Sequence, residues 1–440
     1  MNLFDIFTHF FAKISKEPAL SFGRYSDAYK TDEQHRSLEE ATTAFEKADY
    51  HNACLRFFDY LQDATENNLF TSLKNNELHF ELFQGSKRIT GIVTHDFISA
   101  QTIMAEAQSL PVSLMRRLLE LNFQLRYCRF ALQNNSILIK FDTQTQSGPP
   151  AKLYFALKEL ATTADRQDDV LLSEFSTLKP ADTEHITHIP DKEKATKYKF
   201  FQQWIQNTLA EVRRLDPNIF ARGIAYMLLN LAYKIDYLLL PQGTVMDAIE
   251  RLQTNYFNPD DGAQPVEKNA QMIAAFEKML IITPQQFNQQ LYRTKTTFGI
   301  TGFTTPAQVV DIIDQLLQDA KEFKRRNQLA IANSVLEYIM QYCMFQFGMP
   351  PCIRKTLHLG IRILNSSFFK ELDFPVRYYD ADANVFDKTA IKRYLRQTIT
   401  DAQKQYPHFD LNLRHLNYHS PSDFVYTLLV ETANCNYTDK

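Results

Sequence analysis

Asp380-Ala381-Asp382-Ala383-Asn384 has the spacing with which a calcium loop begins to wrap a hard cation in oxygen ligands. Such a loop also needs a glycine at its sixth position for the sharp turn and a bidentate acid at its twelfth. Val385 and Ile391 stand there instead. A solvated turn ahead of a helix over about 387–404 accounts for the residues better. His408, Asp410, His415 and His419 crowd the other end of the chain, and His415 and His419 have the four-residue spacing that aligns two imidazoles on a helix. No glutamate of the HExxH kind lies between them, and Ser420-Pro421 turns the segment toward loop, so no metal site is expected. His185 and His188 give less still.

The five cysteines (Cys54, Cys128, Cys343, Cys352, Cys435) are far apart, odd in number and never spaced as CxxC, which reads as reduced thiols in a reducing compartment. Only 11 glycines occur in 440 residues, and the nearest pair is Gly299 and Gly302. A phosphate cradle needs clustered glycines so that backbone N–H groups can approach the anion. Nucleotide folds of the GxGxxG and P-loop kinds are therefore excluded, GxSxG is absent, and no cofactor is expected. A net charge of −3 gives no basic field for nucleic acid. The most apolar stretch, 224–240, is broken by Asn230, Lys234 and Asp236, so no membrane span is expected. The amino terminus has no secretory leader pattern, and the expected location is cytoplasmic.

Two charged groups remain. Arg116, Arg117 and Glu120, with Asn122 beside them, form a candidate partner-binding patch in which Arg116 and Glu120 can pair across one helical turn. Lys321, Lys324, Arg325 and Arg326 end a helix, where the dipole favours positive charge.

The elements that would position these residues fall into two parts. Residues 1–50 read as helix and connector, with Leu3, Phe7, Phe10, Phe11 and Ile14 on one side. Over 51–178 the pattern is α-β-β-β-α-β-β-α, an antiparallel sheet with helices. It comprises a helix over 52–69, strands over 78–82, 88–94 and 97–105, a helix from Pro111, strands to either side of Asn134-Asn135, and a helix after Gly148-Pro149-Pro150. On the Pro111 helix the apolar side is read as Val112, Met115, Leu118, Leu119 and Phe123. Met115 and Leu119 should then face a sheet made by Phe80, Leu82, Phe130 and Ile139, with Arg117 off the buried side. Residues 179–198, polar and carrying Pro180 and Pro190, read as a linker. The remainder, 199–440, reads as an all-helical domain. Thr283-Pro284, Thr305-Pro306 and Ser420-Pro421 each carry a capping hydroxyl, a first-turn proline and a polar residue at the third helical position.

The run Leu110-Pro111-Val112-Ser113-Leu114-Met115-Arg116-Arg117-Leu118-Leu119-Glu120-Leu121-Asn122, followed by Tyr127-Cys128-Arg129-Phe130-Ala131-Leu132, resembles the central helix and following strand of the bacterial YbjN and type III secretion chaperone-like family. The resemblance covers 51–180, under a third of the chain. It implies a small α+β module that binds extended segments of other proteins, can form homodimers and has no catalytic role. The expectation is thus a non-enzymatic, chaperone-like protein whose partner is another protein or peptide. An enzyme with an active site in the helical domain, or a helical-repeat scaffold, are the alternatives.

Overall fold

The computed structural model describes residues 18, 20–24, 27–259, 262–299, 301–302 and 304–438. The apolar helix expected near the amino terminus lies outside the described residues. An antiparallel sheet with helices occupies about 32–212, and a mostly helical region follows over 221–433.

Two helices lead in, α1 (Asp32–Glu46) and α2 (Tyr50–Leu61). Strands β1 (Leu69–Lys74), β2 (Glu77–Gln84), β3 (Lys87–Val93) and β4 (Phe97–Ala107) precede helix α3 (Val112–Gln124). Then come β5 (Arg129–Gln133), β6 (Ser136–Gln144) and the long helix α4 (Pro150–Glu174). The sheet runs β1-β2-β3-β4-β6-β5, with β7 (Leu178–Pro180) also bound to β4. Phe80, Leu82, Ile89, Val93, Ala100, Ile139 and Phe141 are buried on the inner face, with Leu153, Leu157, Leu160 and Ala164 of α4 in the same core. Gly91 sits on that face because a Cβ there would come within 2.1 Å of the Phe80 ring and 2.6 Å of the Ser99 carbonyl.

The expected order holds with one addition. The helix predicted over 52–69 ends at Leu61, and Leu69 begins an edge strand instead. The Asp63 carboxylate accepts the N–H groups of Thr65 and Glu66, and Asn68 Oδ1 accepts that of Asp63, so side chains take over backbone bonds that a helix would have used. A two-residue turn, Asn75 and Asn76, both with positive φ, then joins β1 to β2.

The segment 179–198 is held down at several points. Leu178–Pro180 pairs with β4, and Asp182 takes both ends of the Arg88 guanidinium, at 2.7 and 3.1 Å. Strand β8 (Thr187–His188) pairs with β9 (Tyr292–Arg293), and helix α5 (Asp191–Val212) already begins at residue 191. Buried Glu193 lies 3.1 Å from both Lys197 and Arg293. Polar composition alone does not separate a solvated linker from one whose charges are paired.

The helical region consists of α6 (Ala221–Lys234), α7 (Gly243–Phe257), α8 (Pro265–Met279), α9 (Pro284–Gln289), α10 (Pro306–Arg325), α11 (Leu329–Gln346), α12 (Pro351–Leu364), α13 (Ser366–Glu371), α14 (Lys388–Ala402) and α15 (Pro421–Ala433). The starts of α9, α10 and α15 are capped as their sequences predict: Thr283, Thr305 and Ser420 each accept the N–H three residues on. Leu228, Ile235, Ile313, Leu317, Val335, Ile339, Ile353 and Phe424 share a single core with Phe201, Ile205 and Leu209 of α5. This region reaches back to the sheet. Thr297 Oγ1 donates to the Phe83 carbonyl at 2.8 Å, Gln84 Oε1 accepts the N–H groups of Thr297 and Phe298, and the Phe298 ring is buried in the sheet's core. Among the described residues no helix is long and apolar enough to cross a membrane.

Candidate protein-binding surface

Helix α3 carries two apolar arcs. Leu114, Leu118 and Leu121 form the inner one and are buried against the sheet. Val112, Leu119 and Phe123 form the outer one, with exposures of 76%, 67% and 94%. Leu110, Tyr127 and Leu132 add exposed apolar surface nearby in the chain. This corrects the expected orientation in part: Leu118 is buried as expected, but Leu119 points away from the sheet, Met115 is half-buried, and Leu118 shares the buried side with Leu114 and Leu121. Both sets satisfy the spacing of one helical face, so periodicity alone could not choose between them.

The helix cannot roll to bury its outer arc, because polar bonds fix both its flank and its end. Asn122 Oδ1 accepts the Phe130 N–H at 2.6 Å, which also caps one rung of β5, the strand that ends the sheet. Beyond the last turn, the Glu159 carboxylate of α4 accepts three successive backbone N–H groups, those of Arg126, Tyr127 and Cys128, at 2.7–2.9 Å.

The three residues of the predicted patch divide. Arg116 and Glu120 are exposed beside the outer arc. Arg117 turns to the end of α4, where its Nε lies 3.4 Å from Glu174, so it ties two helices together and is only partly open to solvent.

The other motifs have structural partners. Asp380 accepts the N–H groups of Ala383 and Asp382, which hold its carboxyl below the usual range, while Asp382 pairs with Lys370 and Asn384 accepts the Tyr379 hydroxyl. These oxygens serve a tight hairpin turn and do not converge. His415 sits 2.9 Å from Glu431, whereas His419 lines a groove beside α15. Among the described residues no three His, Cys, Asp or Glu side chains are grouped as metal ligands would be. Lys324 pairs with Asp423, and Arg325 and Arg326 pair with Glu322.

A buried joint between sheet and helices went unseen in the sequence. Lys87 Nζ lies 2.9 Å from Asp168, both side chains being almost fully enclosed, and Ser86 Oγ donates to the same carboxylate at 2.5 Å. Asp165 accepts the Ser86 N–H, Asp169 accepts the Tyr292 hydroxyl, and Arg24 meets Asp236 at 3.0 Å. Burial, then repulsion from Asp168, pushes the Asp165 carboxyl up to about 7 and that of Asp169 to about 6. Acids near neutrality could serve as general acid or base. The cavity at Asp165 and Arg24 measures about 50 Å³, however, which is room for a few waters and not for a substrate.

In comparisons with known proteins, no family model matches the chain and no curated sequence matches it.

Proposed function

We propose that this is a protein-binding, chaperone-like protein of the cytoplasm, acting through the outer arc of α3. The observation that carries the proposal is that arc: Val112, Leu119 and Phe123 stand in water on a helix whose other face is already in the core, and hydrocarbon displayed on a fixed scaffold gains only by being covered. The resemblance of residues 110–132 to the YbjN and secretion chaperone-like family supports the same reading. Five buried, unpaired cysteines suit a reducing compartment.

The occupant with the best chemical match is a second copy of the chain. When two α3 helices pack antiparallel about a two-fold axis near residue 118, Val112 of one copy faces Phe123 of the other. Arg116 comes opposite Glu120 on the same flank, and the two-fold makes that pair twice. Sedimentation velocity on the full chain tests this. The wild-type chain should form dimers at micromolar concentration, and Phe123→Asp should be monomeric, with the melting temperature of the wild-type chain diluted below the concentration at which it associates. A wild-type chain that stays monomeric at 100-fold higher concentration contradicts self-association.

A further inference from the structure

A groove of about 730 Å³ opens where α10, α11 and the start of α15 meet, and no feature of the α3 surface touches it. Its size lies within the range of small-molecule sites. Ala320, Ala332 and Leu336 are buried and form its floor, and Tyr426 supplies an aromatic wall. The alanines matter, since larger residues there would fill the space between the helices.

The rim has a definite electrostatic sense. Its one carboxylate among the described residues, Asp423, is already neutralised: Lys324 donates to it at 2.7 Å and Ser420 Oγ at 2.7 Å, and these bonds hold its carboxyl below the usual range. Lys321 has no ion-pair partner among the described residues, and the His419 ring and Asn333 amide make no hydrogen bond there either. The groove thus presents an apolar floor under uncommitted N–H donors, one of them a full positive charge. An uncharged apolar ligand would leave those donors without a partner, and a cation would meet Lys321. We propose that the groove binds a small amphipathic anion, an apolar body ending in a single carboxylate, with the body on Ala332, Leu336 and Tyr426 and the carboxylate at Lys321 and His419.

The test is calorimetric titration of the full chain with decanoate, with decanol as the uncharged control. Decanoate should bind at one site per chain, and decanol at least tenfold more weakly. Lys321→Glu, an exposed change that leaves the melting temperature unaltered, should weaken decanoate at least tenfold. Ala332→Trp should abolish binding by filling the floor. Phe123→Asp, on the far surface of α3, should leave binding unchanged, which separates this site from adsorption of a fatty chain to the outer arc. Equal affinity for decanol, binding that survives Lys321→Glu, or binding lost with Phe123→Asp would each overturn the proposal. These readouts stand whether or not the chain dimerises.

Discussion

The outer arc of α3 and the joint behind β3 invert each other: one sets hydrocarbon in water, the other sets charge in the interior. At the joint the inversion is repaired within the chain. Lys87 finds Asp168 and the Met104 carbonyl, and Arg24 finds Asp236. Glu193 finds both Lys197 and Arg293. Buried charges with partners belong to the architecture, and here they fasten the sheet to the helices. At α3 nothing among the described residues repairs the exposure, although Glu159 and Asn122 hold the helix rigidly in place. That difference is why the apolar arc, and not the cluster of unusual acids, is proposed as the functional surface.

The comparison is broken most forcefully at two adjacent leucines. Leu118→Ala should cost about 2–5 kcal/mol of stability, as large-to-small changes in a core do. Leu119→Ala, one residue on but in the outer arc, should cost less than about 0.5 kcal/mol. Chemical denaturation of the two variants measures both, below the concentration at which the chain associates. Equal costs would mean that the outer arc is covered by the chain itself.

A smaller effect sharpens the other half. Asp165 is raised in the folded state, so between about pH 4 and 7 the folded chain holds a proton that the unfolded chain has released. Its contribution to stability therefore falls as pH rises through that window. Asp165→Asn keeps an acceptor for the Ser86 N–H and removes the buried charge. It should raise stability by about 1–2 kcal/mol at pH 8, with the gain shrinking steadily toward pH 4 in thermal melts. A gain that is flat with pH would show Asp165 to be an ordinary solvated acid.

Much of the fold was legible along the chain because it rests on local signals. Gly85 and Asn134 adopt the positive φ that their hairpins need, and Thr283, Thr305 and Ser420 cap the helices that they introduce. Strand β1 was missed although Asn75-Asn76 marks its turn, because the apolar residues before it continued a helical spacing. The orientation of α3 was illegible for a different reason: two arcs on one helix are equally apolar, and only the placement of the sheet selects between them. Residues of the joint, from Arg24 through Lys87 and Asp168 to Asp236 and Tyr292, are scattered over the chain, and no local pattern could have gathered them.

The proposed two-fold surface is tested most directly by a cysteine trap. In the antiparallel arrangement position 112 of one copy meets position 123 of the other, whereas two copies of position 112 lie about 16 Å apart along the helices, too far for a disulfide. The native cysteines are all buried and should not compete. Val112→Cys and Phe123→Cys chains, mixed and gently oxidised, should give a covalent mixed dimer on a non-reducing gel, while either variant alone should give little. Absence of the mixed dimer, or equal yields from the single variants, would contradict the arrangement.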